Sequence, residues 1–159
     1  MTEIHTKTFL KHDDYMTPKS AWKNIKQYIP DDKVLWEAWY GNGLSGYYLR
    51  ELGFEVIHDP VDFFENNLGD VIVSHPPLYK TKDILDRLHE LDKPFILLLP
   101  SDKINTQYFR KWKNKIQIII PRRRIHFMKN GIQTKRSNFD CLYFCYKMNL
   151  PSDIVWLEE

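Results

Sequence analysis

The stretch that most constrains this chain runs from Val71 to Tyr79 and has the sequence VIVSHPPLY. Three β-branched residues are followed by a polar pair and then by two consecutive prolines. Because proline lacks a backbone N–H donor and its φ angle is fixed, the chain must leave a sheet where the prolines begin. The pattern predicts a buried strand whose carboxyl end lies at Ser74 and His75. In open α/β sheets ligands bind at that end of a strand, and a strand followed by a plain turn is the alternative.

The length and composition are those of one globular domain. The chain has 159 residues, of which 43% are hydrophobic and 28% are charged. No apolar run approaches the ~18 residues of a membrane span, and the polar N-terminus lacks the apolar core of a signal peptide. Cys141 and Cys145 lie on one face of a predicted strand, too far apart to bridge easily. We therefore expect a protein of the cytoplasm or nucleus that is not secreted, with reduced thiols and with no membrane or metal partner.

Basic residues are concentrated in one part of the chain, although the net charge is only +2. Eleven Lys or Arg residues and no Asp or Glu lie between Lys103 and Phe139, whereas acidic residues outnumber basic ones elsewhere. This distribution indicates a polyanion on one side of the protein, with a solvated charged surface as the alternative.

Apolar spacing predicts strands and helices that alternate along the chain. Thr17 and Pro18 have the residue types of a helix cap and a first helical position. Thirteen residues separate the second strand from the central one, too few for a full helix and another strand. A turn at residues 129–131 joins the last two predicted strands, 125–128 and 139–146. We predict an α/β fold over residues 15–150, with one mainly parallel sheet and an antiparallel C-terminal hairpin, between tails at 1–14 and 151–159.

The order of these parts resembles that of the Rossmann-like S-adenosylmethionine-dependent methyltransferases, in particular the class that methylates N6 of adenine. The resemblance runs from Tyr15 to Tyr146 and has four parts. In that family an aromatic-x-Thr-Pro segment helps to hold the methionine end of the cofactor, a glycine turn follows the first strand, an Asp-Phe pair lines the adenine, and an Asn/Asp-Pro-Pro-aromatic motif is catalytic. The matching residues are Tyr15, Thr17 and Pro18; Glu37, Tyr40, Gly41, Asn42 and Gly43; Asp62 and Phe63; and His75, Pro76, Pro77 and Leu78.

The resemblance implies that S-adenosyl-L-methionine is the cofactor, and elementary chemistry suits that ligand. Glycines 41 and 43 let backbone N–H groups approach an anion at a helix N-terminus. Glu37 is the natural partner of the cationic amino group, and Asp59, just beyond the second strand, is placed to bind ribose hydroxyls. Phe63 would stack on the cofactor adenine while Asp62 accepts from its amine, with core packing and helix capping as the alternatives. We include Ser74, at the end of the central strand, in the cofactor site.

The catalytic motif departs from the family at both ends. In the family, the first residue and a proline carbonyl accept the hydrogens of the target amine, and the aromatic residue stacks on the extruded base. Here His75 stands first. It can accept a hydrogen bond only when its ring is neutral, that is, above its pKa, which is near ~6.5 if the ring is unperturbed. Leu78 stands fourth and has no π-face, so Tyr79 is the candidate substitute.

The substrate side is expected on the basic stretch. Basic residues interleaved with aromatic ones suit phosphate contacts and stacking on a single-stranded or flipped base. A basic edge that protects exposed strands is the alternative. The candidate nucleic-acid contacts are Arg122, Arg123, Arg124, Lys129, Lys135 and Arg136.

Three functions remain open from the sequence. The first is an active methyltransferase that acts on adenine N6 of DNA or RNA. The second is a pseudoenzyme that binds cofactor or nucleic acid and supports a partner subunit, as a homo- or hetero-oligomer. The third is a methyltransferase for another acceptor, with His75 as the base. For the third function, a small-molecule acceptor would leave the basic stretch unexplained. We favour the first function, narrowly over the second.

Overall fold

A computed structural model gives the fold and describes residues 16–41, 43–129, 132–133 and 140–158. Within these residues the chain is an α/β structure built on a seven-stranded mixed sheet, with a separate two-stranded ribbon. The α-helices are α1 (Lys19–Lys23), α2 (Leu44–Glu51) and α3 (Thr81–Leu91), and 3₁₀ helices span Lys26–Tyr28, Phe63–Glu65, Leu78–Lys80, Ser101–Asn105 and Gln107–Trp112. The strands are β1 (Val34–Trp36), β2 (Glu55–Ile57), β3 (Val71–Ser74), β4 (Phe95–Pro100), β5 (Ile116–Ile120), β6 (Met128–Lys129), β7 (Ile132–Gln133), β8 (Cys141–Tyr146) and β9 (Ile154–Trp156).

The strand order in the main sheet is β2-β1-β3-β4-β8-β5-β9. The first four strands in this order are parallel, β8 is antiparallel to both of its neighbours, and β9 is parallel to β5. The prediction of a mixed α/β sheet with an antiparallel part is therefore confirmed. Since β4 and β5 point the same way on either side of β8, the carboxyl ends of β1, β3, β4 and β5 lie along one edge of the sheet.

The antiparallel part differs from the predicted hairpin between residues 125–128 and 139–146. β6 pairs instead with β7 in the small ribbon, and β8 lies between β4 and β5. The reason is burial on both faces of β8, since Tyr143 and Cys145 are buried on one face and Phe144 on the other. A strand that is apolar on both faces needs cover on both faces and takes an interior position. Cys141 and Cys145 share a face, and neither forms a disulfide.

Residues 151–159, expected as a tail, contribute β9 to the edge of the sheet. Val155 and Leu157 are buried, whereas Ile154 and Trp156 are exposed. This alternation has the period of two that marks a half-buried strand, and it gives the segment enough apolar burial to stay on the sheet.

Alternate residues of the strands pack against two layers of helix. α1 and α2 cover one face of the sheet, and α3 covers the other together with the 3₁₀ helix at Gln107–Trp112. In β4 both faces are covered and all six residues are buried, as the fully apolar sequence predicts. None of the helices in the described part of the chain is long and apolar enough to span a membrane.

The connection between β2 and β3 contains a single 3₁₀ turn in place of an α-helix. Lys93 holds its second half, because its Nζ donates hydrogen bonds to Asn67 Oδ1 at 2.8 Å and to the carbonyls of Leu68 and Gly69 at 2.7 Å. Three acceptors satisfy the three donors of an ammonium group. The short connection thus keeps β3 next to β1 without a crossover helix between the strands.

Candidate active site

The strand order reverses direction at β1. From β1 the chain goes to β2 on one side and then returns to β3 on the other side. Open α/β sheets bind ligands at such a switch point, in the crevice outside the carboxyl ends of the two diverging strands. Glu37 directly follows β1 and Ser74 ends β3, so both lie at the carboxyl ends of the two diverging strands.

Glu37 and Ser74 are joined by a hydrogen bond. Ser74 Oγ donates to Glu37 Oε1 at 2.5 Å, and the backbone N–H of Trp39 donates to the same oxygen at 2.9 Å. The Glu37 residue is 1% exposed, and this burial raises the pKa of its carboxyl to about 8, against the opposing effect of the two hydrogen bonds. The carboxyl is therefore mainly neutral at pH 7.

His75 follows Ser74 and contacts two distant parts of the chain. Its Nδ1 lies 2.8 Å from Thr17 Oγ1, and its ring centroid lies 4.9 Å from that of Phe127. Burial lowers the pKa of His75 to about 4. The ring is therefore perturbed: its pKa lies below the ~6.5 of an unperturbed histidine, and it stays neutral throughout the physiological range.

The predicted cap of α1 by Thr17 is not formed. Pro18 occupies the N-cap position, and no side chain caps the helix. The Thr17 hydroxyl is used by His75 instead, which brings the predicted cofactor segment into contact with the predicted catalytic motif.

The remainder of the motif forms a turn away from the sheet. Pro76 is buried, Pro77 precedes the 3₁₀ helix at Leu78–Lys80, and the Leu78 carbonyl accepts from Thr81 Oγ1 at 2.8 Å. Leu78 and Tyr79 are both partly buried. The ammonium of Lys80 lies 5.9 Å from the centroid of the Tyr79 ring, which therefore already makes one cation–π contact.

The glycine turn has the backbone conformation that its residues predict. Gly41 and Gly43 have φ angles of 58° and 87°, in the left-handed region that favours glycine. Gly43 is the N-cap of α2, and a Cβ atom added there would lie 3.3 Å from the Tyr40 hydroxyl. At Gly41 the nearest atom to an added Cβ is 4.0 Å away, so a substitution there strains the backbone without a clash.

The residues predicted to bind the ribose and adenine of the cofactor are Asp59, Asp62 and Phe63, and their surroundings differ. Asp59 and Asp62 are exposed. Asp62 Oδ1 caps the following 3₁₀ helix by accepting from Phe64 N at 2.8 Å, which was the alternative interpretation of this residue. Phe63 is 3% exposed, and its ring centroid lies 4.4 Å from that of Trp39. The Phe63 ring is therefore covered by other aromatic side chains, which was the alternative interpretation of this residue as core packing.

The basic stretch is divided between opposite edges of the sheet. Arg122, Arg123 and Arg124 follow β5, are exposed, and share the edge at which β3 ends. Lys113 and Lys115 precede β5 and therefore lie toward the other edge. Arg124 Nε pairs with Asp140 Oδ1 at 2.6 Å, so one of the three arginines has an acidic partner.

Several of the predicted contact residues are not among the residues that the structure describes. Tyr15, Asn42, Lys135 and Arg136 lie outside the described residues, as does the side chain of Lys129, whose backbone belongs to β6.

His58 and Gly46 pack together beside the glycine turn, and neither of them is among the residues predicted from the sequence. His58 is buried beyond β2, and its ring centroid lies 4.6 Å from that of Tyr40. A Cβ atom added at Gly46 would lie 1.9 Å from His58 Nδ1, so this position of α2 accepts only glycine. An isolated glycine within a helical pattern is a signal of such close approach. The sequence pattern places Phe127 on a strand and gives no sign of its contact with His75.

No protein-family model matches the sequence, and no curated protein matches it. Within the part of the chain that the structure describes, no group of three or more His, Cys, Asp or Glu side chains is arranged to hold a metal ion.

Proposed function

We propose that the chain is a Rossmann-like methyltransferase that uses S-adenosyl-L-methionine to methylate N6 of adenine in DNA or RNA. The observation that carries this proposal is the junction of four predicted site residues at the switch point. Thr17 contacts His75, and the neighbouring Ser74 contacts Glu37. The entry segment, the altered catalytic motif and the acid after the first strand are therefore parts of one site.

The residues at the switch point suit the two charged ends of the cofactor. Glu37 offers a buried carboxyl that a cationic amino group would ionise. Gly41 and Gly43 leave backbone room at the start of α2, where a carboxylate would be favoured. Asp59, exposed beyond β2, is available for ribose hydroxyls. S-adenosylmethionine, when bound, supplies an electrophilic methyl group.

His75 is the residue to which we assign the acceptor role. Its neutral ring can accept a hydrogen bond from the target amine through Nε2. It can then take the proton that the amine must lose once it has gained a methyl group. Alignment of the amine supplies the acceleration, so an acceptor of modest basicity is sufficient.

The nucleic acid is assigned to the edge that carries the arginines. Arg122 and Arg123 are exposed at the edge where His75 lies, and neither forms an ion pair among the described residues. Phosphate contacts there would position the strand, while a flipped base enters the site near Leu78 and Tyr79.

A pseudoenzyme that supports a partner subunit is the second candidate. Nε2 of His75 is buried, and Phe127 lies against the same ring. Leu78 provides no π-face at the stacking position. These observations favour a site that keeps its cofactor residues while the catalytic residues are covered.

Isothermal titration calorimetry with S-adenosylmethionine and its demethylated product tests the cofactor assignment. Wild type should bind both, and Glu37→Gln should bind at least about tenfold more weakly through loss of a charge-assisted hydrogen bond. Gly41→Val should abolish binding by straining the turn. Glu90→Gln, an exposed change on α3, is the matched control and should bind as wild type does. Absence of heat up to roughly 1 mM cofactor would remove the assignment.

A further inference from the structure

Thr17 has an unusual use of its hydroxyl group. Its Oγ1 lies 2.8 Å from His75 Nδ1, a residue 58 positions away in the sequence. Thr17 is 4% exposed and gives no cap to the adjoining helix α1. A buried hydroxyl at a helix start normally satisfies a backbone N–H of that helix. Its engagement by an imidazole therefore indicates a role at His75.

The two ring nitrogens of His75 have different surroundings. Nδ1 faces the Thr17 hydroxyl, which can either donate or accept. Nε2 is buried and has no hydrogen-bond partner among the described residues. A neutral imidazole carries its proton on one of these two nitrogens. Since buried N–H groups without an acceptor are rarer and costlier than unused lone pairs, the proton belongs on Nδ1.

We infer that Thr17 is a positioning residue that accepts Nδ1–H of His75 and so keeps Nε2 as a bare acceptor. The catalytic meaning of this tautomer rests on the proposed function, and it narrows the substrate class. A lone pair at Nε2 pairs with an N–H donor such as the exocyclic amine of adenine. It opposes the carbonyl oxygen that hypoxanthine carries at the same ring position. The other tautomer would reverse this preference.

Nuclear magnetic resonance of the full chain without cofactor tests the tautomer directly. Long-range ¹H–¹⁵N correlations distinguish protonated from unprotonated ring nitrogens, and His75→Asn identifies the His75 signals among the six histidines. In wild type near pH 7 we expect Nδ1 to be protonated and Nε2 to be unprotonated. Thr17→Ser should keep this pattern, and Thr17→Val, which removes the acceptor, should give a mixture of both tautomers.

Two results would overturn the inference. One is a protonated Nε2 in wild type or in Thr17→Ser, and the other is a folded Thr17→Val variant with the wild-type tautomer. The first result is measured on wild type and Thr17→Ser alone. The inference can therefore still be overturned if Thr17→Val does not fold.

Methyl transfer separates this inference from the proposed function. On an oligonucleotide that contains a single adenine, wild type should methylate that base. Thr17→Val should lower the rate on adenine about tenfold, and Thr17→Ser should restore it. If the tautomer is as inferred but wild type transfers no methyl group, the proposed function fails and the tautomer assignment stands. If wild type is active with Nε2 protonated, the inference alone fails.

Discussion

Ser74 donates a hydrogen bond to Glu37 across the boundary between two parallel strands, and both residues are buried. The bond connects the residue after β1 to the last residue of β3, next to His75. Burial disfavours the charged form of Glu37 and, separately, that of His75. Their pKa values move in opposite directions, upward for the acid and downward for the base.

The first prediction concerns stability against pH. The pKa of Glu37 is about 8 in the folded chain against 4.5 as the ordinary value, so folding favours the proton on this group. Between these values the stability that Glu37 contributes falls as pH rises. The pKa of His75 is about 4 in the folded chain against an ordinary value of 6.5. Between these values the unfolded chain binds the extra proton, so the stability falls as pH drops from about 6.5 to 4. Above pH ~6.5 only the Glu37 effect remains.

Glu37→Gln should therefore remove a decline of up to about 1.4 kcal/mol per pH unit between about pH 6.5 and 8. Urea unfolding of wild type and variant at several pH values in that range measures the difference. Glu90→Gln should follow the wild-type curve. Parallel curves for wild type and Glu37→Gln would show that the Glu37 carboxyl is ionised in the folded chain.

The second prediction is a proton released on cofactor binding. Glu37 is mainly protonated at pH 7 before binding, and a cationic amino group beside it favours the ionised carboxylate. Wild type should therefore release close to one proton more than Glu37→Gln does. Calorimetry in two buffers of different ionisation enthalpy measures this number. Equal proton release by the two proteins would place the cation elsewhere.

The third prediction concerns the contact between Gly46 and His58. Replacing glycine by alanine inside a helix normally stabilises by up to about 1 kcal/mol. Here the added methyl group would overlap the His58 ring, so Gly46→Ala should instead cost about 1–3 kcal/mol in urea unfolding. In the background of His58→Ala, Gly46→Ala should cost much less free energy of unfolding than it does in wild type. An additive double variant would mean that the two residues do not touch.

The fourth prediction concerns the salt dependence of nucleic-acid binding. Replacing Arg122 and Arg123 by Gln should reduce the slope of log affinity against log salt by about 1.4–1.8, at roughly 0.7–0.9 per phosphate. Adding Arg124→Gln should change the slope less, because Asp140 pairs with Arg124. The control is Lys113→Gln with Lys115→Gln, toward the opposite edge, which should leave the slope unchanged. If the slope fell only in the control variant, the nucleic acid would bind at the edge of Lys113 and Lys115 and not at that of the arginines.

The elements set by local pattern were predictable from the sequence. β4 is apolar throughout and its burial follows directly, and the prolines after Ser74 end β3 where expected. The positive φ angles of Gly41 and Gly43 follow from residue type. These features depend on neighbours in the chain, so a sequence pattern contains them.

Features that depend on long-range contact were not predictable in the same way. The position of β8 between β4 and β5 is a matter of strand pairing across the whole domain. The low pKa of His75 comes from burial, and the use of Thr17 by His75 rather than by α1 comes from tertiary contact. The residues Ile154–Leu157 are all apolar, so the sequence indicates a short strand there but does not tell which of these side chains are buried.

The decisive measurement is transfer of an isotopically labelled methyl group from S-adenosylmethionine to mixed-sequence single-stranded nucleic acid, with the product nucleoside identified by mass spectrometry. Wild type should yield N6-methylated adenine, His75→Ala should be at least about tenfold slower, and His75→Asn should equal or exceed wild type because its amide oxygen restores the acceptor. No labelled adenine from a wild-type protein that binds the cofactor would contradict the proposed activity. Activity gained by His75→Asn with Leu78→Tyr would then identify the natural chain as a pseudoenzyme.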